Sequence, residues 1–498
     1  MAAAARRTLN DRTRDEVDSL FGSLVDDDVV PGIAYGVVDR AGLVHGAGHG
    51  VVREQGRCPD ATTAFRIASM SKSFTAASIM LLVERGALGL ADPVSRYVPE
   101  FGAVVLPTSD SPPVTVGMLL SMSGGLPTDD PWADRQESMS REAFGRLLTD
   151  GLRFVTTPDT AYEYSNLGYT VLGCVIEAAS ELPYREFVDQ QLIRPLGLTS
   201  TGFDTSVAAP GGIATGHFRL DGRWQALPFS SPGVFSAMAG LFSTVEDLAR
   251  WVSWLADAFP SRDGADAGPL RRAARREMQQ VHRAVPPARP AAGENHESGP
   301  ITVGYGYGLV IGHDPVWGTV VSHNGGYPGF GSHMRWHPGT GLGVIAMTNA
   351  RYVAAQAKAT AALRVVLADV ADPARPEALW PETVEARAAV ERLLREWDTA
   401  VTGAWFADNV EMDLDLAHRR ARIETLVDAV GPLLEPTPPA ELIRSDSPAH
   451  VVWDVRGARG VLRCEIRMTP QDPPKIQTLN VTVDDSASSA GGAGTPAT

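Results

Sequence analysis

Ser69 and Lys72 stand three residues apart in FRIASMSKSFT, residues 65–75. On a helix that spacing puts both side chains on one face, a hydroxyl beside an amine. A serine hydroxyl at its ordinary pKa is a weak nucleophile and needs a base within hydrogen-bond reach. An amine becomes that base when burial or nearby cations lower its pKa, whereas a guanidinium stays protonated. The chain is rich in arginine and has only three lysines, Lys72, Lys358 and Lys475. A lysine here fits a task that arginine cannot perform. The plain alternative is an ordinary helix position for Lys72, since Lys358 and Lys475 are lysines with no evident task.

Two further stretches follow in order: Tyr164-Ser165-Asn166 in TPDTAYEYSNLGYTVLG, and His323-Asn324-Gly325 in VVSHNGGYPGFGSHMRWHP. In penicillin-recognising enzymes a Ser-x-x-Lys element precedes a Ser-Asp-Asn and a Lys-Thr-Gly element. Here Tyr-x-Asn and His-x-Gly variants stand in those places. The chain resembles the serine β-lactamase and penicillin-binding-protein superfamily. It is most like the branch holding class C β-lactamases, D-stereospecific peptidases, family VIII esterases and related acyltransferases. The resemblance covers about residues 15–370 and extends to VTVGMLLSMSGGLP, GLFSTVEDLARW and GLGVIAMTN. It implies an α+β, β-lactamase/transpeptidase-like fold: an antiparallel sheet flanked by helices, plus an all-helical subdomain.

The resemblance also implies roles. Ser69 is the nucleophile at the N-terminus of its helix, where the dipole and free N–H groups favour negative charge. Lys72 takes the serine proton directly or holds Tyr164 as a phenolate that does so. Asn166 donates to the substrate acyl amide or to Lys72. Backbone N–H groups of Ser69 and Gly326 form an oxyanion hole, and Asn324 and Gly325 bind substrate. His323 departs from the family's lysine. An imidazole is mostly neutral at neutral pH, so carboxylate recognition weakens and esters or amides are favoured over β-lactams. The bland alternative makes His323 a spacer facing solvent. GGYPGFG lacks the strand-loop-helix setting of a phosphate cradle. His333 and His337 lie on a strand ending in His-Pro, which is not read as a metal site, and no cofactor is expected.

The elements that must hold these residues are legible in outline. Residues 10–25 place Val17, Leu20, Phe21, Leu24 and Val25 on one helical face. GIAYGVVDRAGLVHGAGHG reads as a hairpin, and residues 69–84 as a mostly buried helix. GLFSTVEDLARWVSWL reads as a helix entered through Ser243 and Glu246. Residues 261–300, rich in Ala, Arg, Pro and Gly, read as a flap or insertion. YGYGLVIG, GTVVSHNG, SHMRWHP and GLGVIAMTN form an antiparallel meander, closed by a helix ending near Asp369. The expected organisation is an extension at 1–14, the hydrolase-like domain at 15–372, a small α+β domain at 373–485 and a disordered tail at 486–498. DPARPEALWPET is the linker, and the last domain reads helix, helix, three strands, loosely cystatin-like.

A net charge of −15 argues against nucleic acid or an anionic membrane as a partner. Three scattered cysteines fit a reducing compartment. The N-terminus has no apolar run behind its arginines, so a cytoplasmic protein is expected and cell-wall cross-link chemistry is set aside. The expected partner is a small-molecule or peptide acyl substrate, with a homo-oligomer left open. The leading expectation is a serine hydrolase. Alternatives are an acyltransferase or peptide-cyclising thioesterase, a D-amino-acid peptidase or weak β-lactamase, and a non-catalytic sensor.

Overall fold

The computed structural model describes residues 8–53, 56–266, 268–286, 303–350, 355–370, 379–434 and 442–484. The chain divides into two compact units, Met1–Pro373 and Ala374–Thr498. Among the described residues no helix is long and apolar enough to cross a membrane.

The first unit is built on an eight-stranded antiparallel sheet. Its strand order is Gly42–Gly50, Gly32–Asp39, Gly343–Thr348, Phe330–Trp336, Gly318–Tyr327, Val310–Asp314, Val303–Tyr305 and Arg283–Val285. The N-terminal hairpin therefore completes a sheet made mostly by the meander. Every residue of Gly32–Asp39 is buried, and period-two alternation divides them between two cores. Ile33, Tyr35 and Val37 face the helices Asp11–Asp26 and Gln356–Val370 through Phe21, Leu363 and Val366. Ala34 and Val38 belong to the larger core with Phe74 and Trp251. Gly36 shares that face and has no room for a side chain, because a Cβ would lie 2.5 Å from Val245 Cγ1.

The helix Ser71–Glu84 is buried from Ser71 through Leu82, which suits its apolar, alanine-rich composition. The helices Val116–Leu120, Arg141–Asp150, Asn166–Ser180 and Tyr184–Val188 contribute to the same core. On its other side Phe74 stacks on Trp251 of Val245–Ala256, with ring centroids 3.7 Å apart. Trp251 Nε1 donates to Ser73 Oγ at 3.1 Å.

Several expectations are corrected. The helix expected over 69–84 starts at Ser71, and Ser69 sits in a preceding 3-10 turn, Ala68–Met70. The second helix is capped by Thr244, whose Oγ1 accepts from Asp247 N at 3.2 Å. Ser243 is taken by a two-residue strand, Phe242–Ser243, paired with Phe65–Arg66. Residues 268–286 are no flap. They form the helix Arg272–Met278 and the sheet-edge strand Arg283–Val285. Arg275 is fully buried there, 4.8 Å over the Trp254 ring and 2.8 Å from Asp266. Composition misled because a buried, paired arginine has the same letter as a solvated one. Residues 287–300 of that stretch lie outside the described residues, as does the 486–498 tail.

Among its described residues the second unit has four helices, Pro381–Arg395, Thr399–Trp405, Asp408–Asp413 and Leu416–Val430. An antiparallel sheet follows in sequential order: Leu442–Ser447, His450–Arg456, Val461–Met468, Ile476–Val483. The sequence reading missed one strand and two helices of 7 and 6 residues, too short to show periodicity. Pro381 opens a helix, so the linker reading fails at its end; residues 371–378 lie outside the described residues. Trp453, Cys464 and Ile466 pack on Ala386, Val390 and Leu394.

Trp251→Ala removes the ring that joins the two central helices. We expect a loss of about 3–5 kcal/mol in urea unfolding; a loss under about 1 kcal/mol would show that the stack is not a support.

Candidate active site

The turn that carries Ser69 is held from several sides. Ala68 adopts φ +50°, a left-handed conformation that costs a non-glycine residue about 1–2 kcal/mol. Arg66, two residues before the turn, is buried, donates to Glu137, and stacks 4.7 Å from the Phe242 ring and 4.3 Å from that of Tyr327. Tyr327 Oη donates to the same carboxylate at 2.6 Å. The network ties the turn to the end of the strand Gly318–Tyr327. Closer in, Ser332 Oγ donates to Ile67 O at 2.8 Å. A Cβ on Gly325 would lie 2.1 Å from Ser332 Oγ and 2.3 Å from Ile67 O. Glycine at 325 is a condition for strand and turn to touch.

Lys72 is fully buried. Its Nζ donates to Ser69 Oγ at 3.0 Å, Asn166 Oδ1 at 2.6 Å and Met238 O at 3.1 Å. Burial pushes the amine down to about 8, against the pull of Asp130, Asp129 and Asp134. The three partners suit both protonation states. An ammonium has three donors for three oxygens. A neutral amine keeps two donors for the carbonyl oxygens and turns its lone pair toward the serine hydroxyl.

Asn166 begins the helix Asn166–Ser180, where Ser165 Oγ accepts from Gly168 N at 3.2 Å. Asp129 accepts from the N–H groups of Asn166 and Leu167, both at 2.7 Å, an anion where the helix dipole favours one. Asn166 Nδ2 donates to Asp130. The expectation that Asn166 donates to Lys72 is reversed. Its amide nitrogen is committed to a carboxylate, so its oxygen faces the lysine and accepts. Asp129 and Asp130 escaped the sequence reading because they precede Asn166 by 37 and 36 residues, and DDP reads as a turn.

Tyr164 joins the cluster, with Lys72 Nζ 4.9 Å from its ring centroid. Burial drives its hydroxyl well above the usual tyrosine range, and the Asp130 carboxylate adds to this; a hydrogen bond with Ser69 only partly offsets them. A resting phenolate is therefore disfavoured.

His323 is buried, 3% exposed, and is not a solvent-facing spacer. Its Nδ1 lies 2.6 Å from Asn324 O; a carbonyl only accepts, so Nδ1 carries the proton. Nε2 then accepts from Tyr305 Oη at 3.1 Å. Burial, followed by the charge of Lys72, pushes the imidazole down to about 3, so it is neutral. Tyr305 was missed because YGYGLVIG reads only as a run of the meander, with nothing local to pair it with His323. The His323 ring lies 6.5 Å from that of Tyr164.

Asn324 is not part of this cluster. Strand alternation turns it to the opposite face, where its Nδ2 donates to Gln356 at 2.8 Å and its Oδ1 meets His333 Nδ1 at 2.5 Å. Its expected substrate contact is corrected. His337 Nδ1 bonds Thr340 in the following turn. Among the described residues no group of three or more His, Cys, Asp or Glu could hold a metal ion. Gly326 pairs with Gly331. The ladder with Val310–Asp314 ends at Ser322, so the strand edge beyond it has no ladder partner on that side among the described residues.

The sequence profile described as Beta-lactamase matches residues 17–368. Penicillin-binding protein 4* of Bacillus subtilis is 29% identical over 288 residues, 54% of this chain and 57% of that one. Protein flp of Staphylococcus aureus is 26% identical over 258 residues, 50% of each. The chain thus spans little more than half the length of the curated relatives it matches. Among solved structures, the octameric penicillin-binding protein homologue from Pyrococcus abyssi superposes with a TM-score of 0.61 at 21% identity, covering 95% of this chain and 98% of that one. EstCE1, a hydrolase with promiscuous acyltransferase activity, gives 0.57 at 22% identity over 71% and 97%. A D-stereospecific amidohydrolase from Streptomyces sp. gives 0.54 at 21% over 72% and 98%. At these identities the structural likeness concerns the fold.

Asn324→Ala should leave the rate of Ser69 phosphonylation by a fluorophosphonate within about threefold, the scale of a substitution away from the site. Gly325→Ala should lower it at least ~100-fold by displacing the strand. The reverse pattern would put Asn324 back in the site.

Proposed function

The chain belongs to the beta-lactamase family, and we propose that within it the chain is a serine hydrolase, opening an ester or amide through an acyl-enzyme on Ser69. The observation that carries this reading is the buried Lys72 amine, 3.0 Å from Ser69 Oγ and pushed down to about 8. The neutral amine takes the Ser69 proton as Oγ bonds to the acyl carbon. Backbone N–H groups of Ser69 and Gly326 receive the developing oxyanion. As the bond to the leaving group breaks, Tyr164 donates a proton to it and recovers one from the Lys72 ammonium. Its raised pKa favours the acid role over the base role. Water then cleaves the acyl-enzyme by the same steps in reverse.

The charges around the site favour acyl donors without a carboxylate. The nitrogens of His323 are occupied by Asn324 O and Tyr305 Oη, so it offers no fixed cation. Asp129, Asp130 and Asp134 are the charges that act on Lys72. An anionic substrate meets them unfavourably.

With nitrophenyl esters, D- and L-amino-acid amides and nitrocefin as substrates, ester turnover is expected, with nitrocefin slow or inert. Ser69→Ala should reduce ester turnover at least ~1,000-fold; unchanged turnover in that variant sinks the site. Brisk nitrocefin hydrolysis would overturn the substrate reading alone.

The pH dependence has a defined sign. The active form of Lys72 is the free amine, so kcat/KM should rise with pH through a midpoint near 8 and level off above it. His323, at about 3, adds no inflection between pH 5 and 9. A rate falling across pH 7–9 would exclude Lys72 as the base.

A further inference from the structure

The second unit contains a cleft of about 660 Å³, bounded by the helices Asp408–Asp413 and Leu416–Val430 and by the sheet. This lies within the roughly 300–1,000 Å³ of small-molecule sites. Its lining is mixed, with the carboxylates of Asp413 and Glu465 and neutral polar groups such as Asn480 beside two features that matter for a ligand. Leu414, Ile423, Leu426 and Val452 give it an apolar wall, and Arg419 and Arg422, one turn apart on Leu416–Val430, give it a cationic one.

The arginines differ in how far they are satisfied. Arg463, on the sheet side of the cleft, pairs with Asp454 at 3.1 Å and Asp484 at 2.7 Å. Arg419 is held by backbone carbonyls alone: Nη2 donates to Val410 O at 2.8 Å and Nη1 to Leu479 O at 3.3 Å. Its Nε is out of solvent with no hydrogen-bond partner. Among the described residues neither Arg419 nor Arg422 has a carboxylate at ion-pair distance. Burial and the like charge of Arg422 push the Arg419 guanidinium down, against the pull of Asp413. A rigid guanidinium with an idle buried donor is unfavourable by itself and is relieved by an arriving anion.

We propose that this cleft binds an organic anion, a carboxylate on an apolar body. The carboxylate sits between Arg419 and Arg422, and the hydrocarbon lies along Ile423, Leu426 and Val452. The apolar wall favours such a ligand over a bare inorganic anion, and two guanidiniums without a carboxylate at ion-pair distance favour it over a neutral alcohol. The site does not depend on the chemistry at Ser69.

Calorimetric titration of the full chain with sodium octanoate tests this, with 1-octanol and inorganic phosphate as controls. Octanoate should bind one-to-one, and both controls at least about tenfold more weakly, the worth of one charge-assisted hydrogen bond. The Arg419→Gln/Arg422→Gln double variant should lose at least about tenfold in octanoate affinity. Leu426→Trp, which fills the cleft, should abolish binding. Arg422→Gln alone, at an exposed position, guards against misfolding of the double variant and should weaken octanoate at least about threefold. Absence of octanoate binding, octanol binding equally well, phosphate binding equally well, or variants that bind like the wild type would each overturn the proposal.

Discussion

A single amine held out of water organises the first unit. Lys72 lies inside a helix that is buried on all sides, where an unpaired charge would be strongly unfavourable. Three oxygens from three separate segments meet it: Ser69 from the turn, Asn166 from the start of its helix, and Met238 from a short helix. Each segment is anchored in turn, Asn166 through Asp129 and Asp130 and the turn through Arg66 and Glu137. Much of the polar structure in this region converges on one buried nitrogen. Removing solvent lowers the amine's pKa, and the carboxylates keep it from falling too far. The balance between these two effects is what poises it near neutrality.

The neighbouring tyrosines and His323 are governed by the same dryness with a different result. Tyr164 and Tyr305 are both driven well above the usual tyrosine range by burial, so both stay protonated. Tyr305 spends its proton on His323, and His323 spends its own on a backbone carbonyl. The imidazole therefore fills the place of a family lysine without its charge. It serves as a neutral strut between the strand and Tyr305.

What could be seen in the sequence was whatever a local rule or a family resemblance encodes. The Ser69–Lys72 pair follows from helical spacing, and the meander from alternating apolar runs. Features set by distant segments were invisible. Asp129 and Asp130 meet Asn166 across the fold, and Tyr305 meets His323 between neighbouring strands. Thr244 displaced Ser243 as cap because the paired strand reaches one residue further than the capping rule can see. Arg275 read as surface until a buried tryptophan and a carboxylate were found around it. Asn324 was assigned to the site with its neighbours although strand alternation already placed it on the other face.

The order in which the sheet can be assembled follows from its pairing. Gly32–Asp39 sits between its hairpin partner and Gly343–Thr348, with Ile33 opposite Thr348. A ribosome delivers the first of these strands long before the second. Until the distal strand emerges, an apolar edge destined for complete burial stays uncovered, a template for wrong pairing between nascent chains. Such long-range closure also makes folding slow relative to local structure formation. The sheet therefore closes only when strands more than three hundred residues apart in the chain have met.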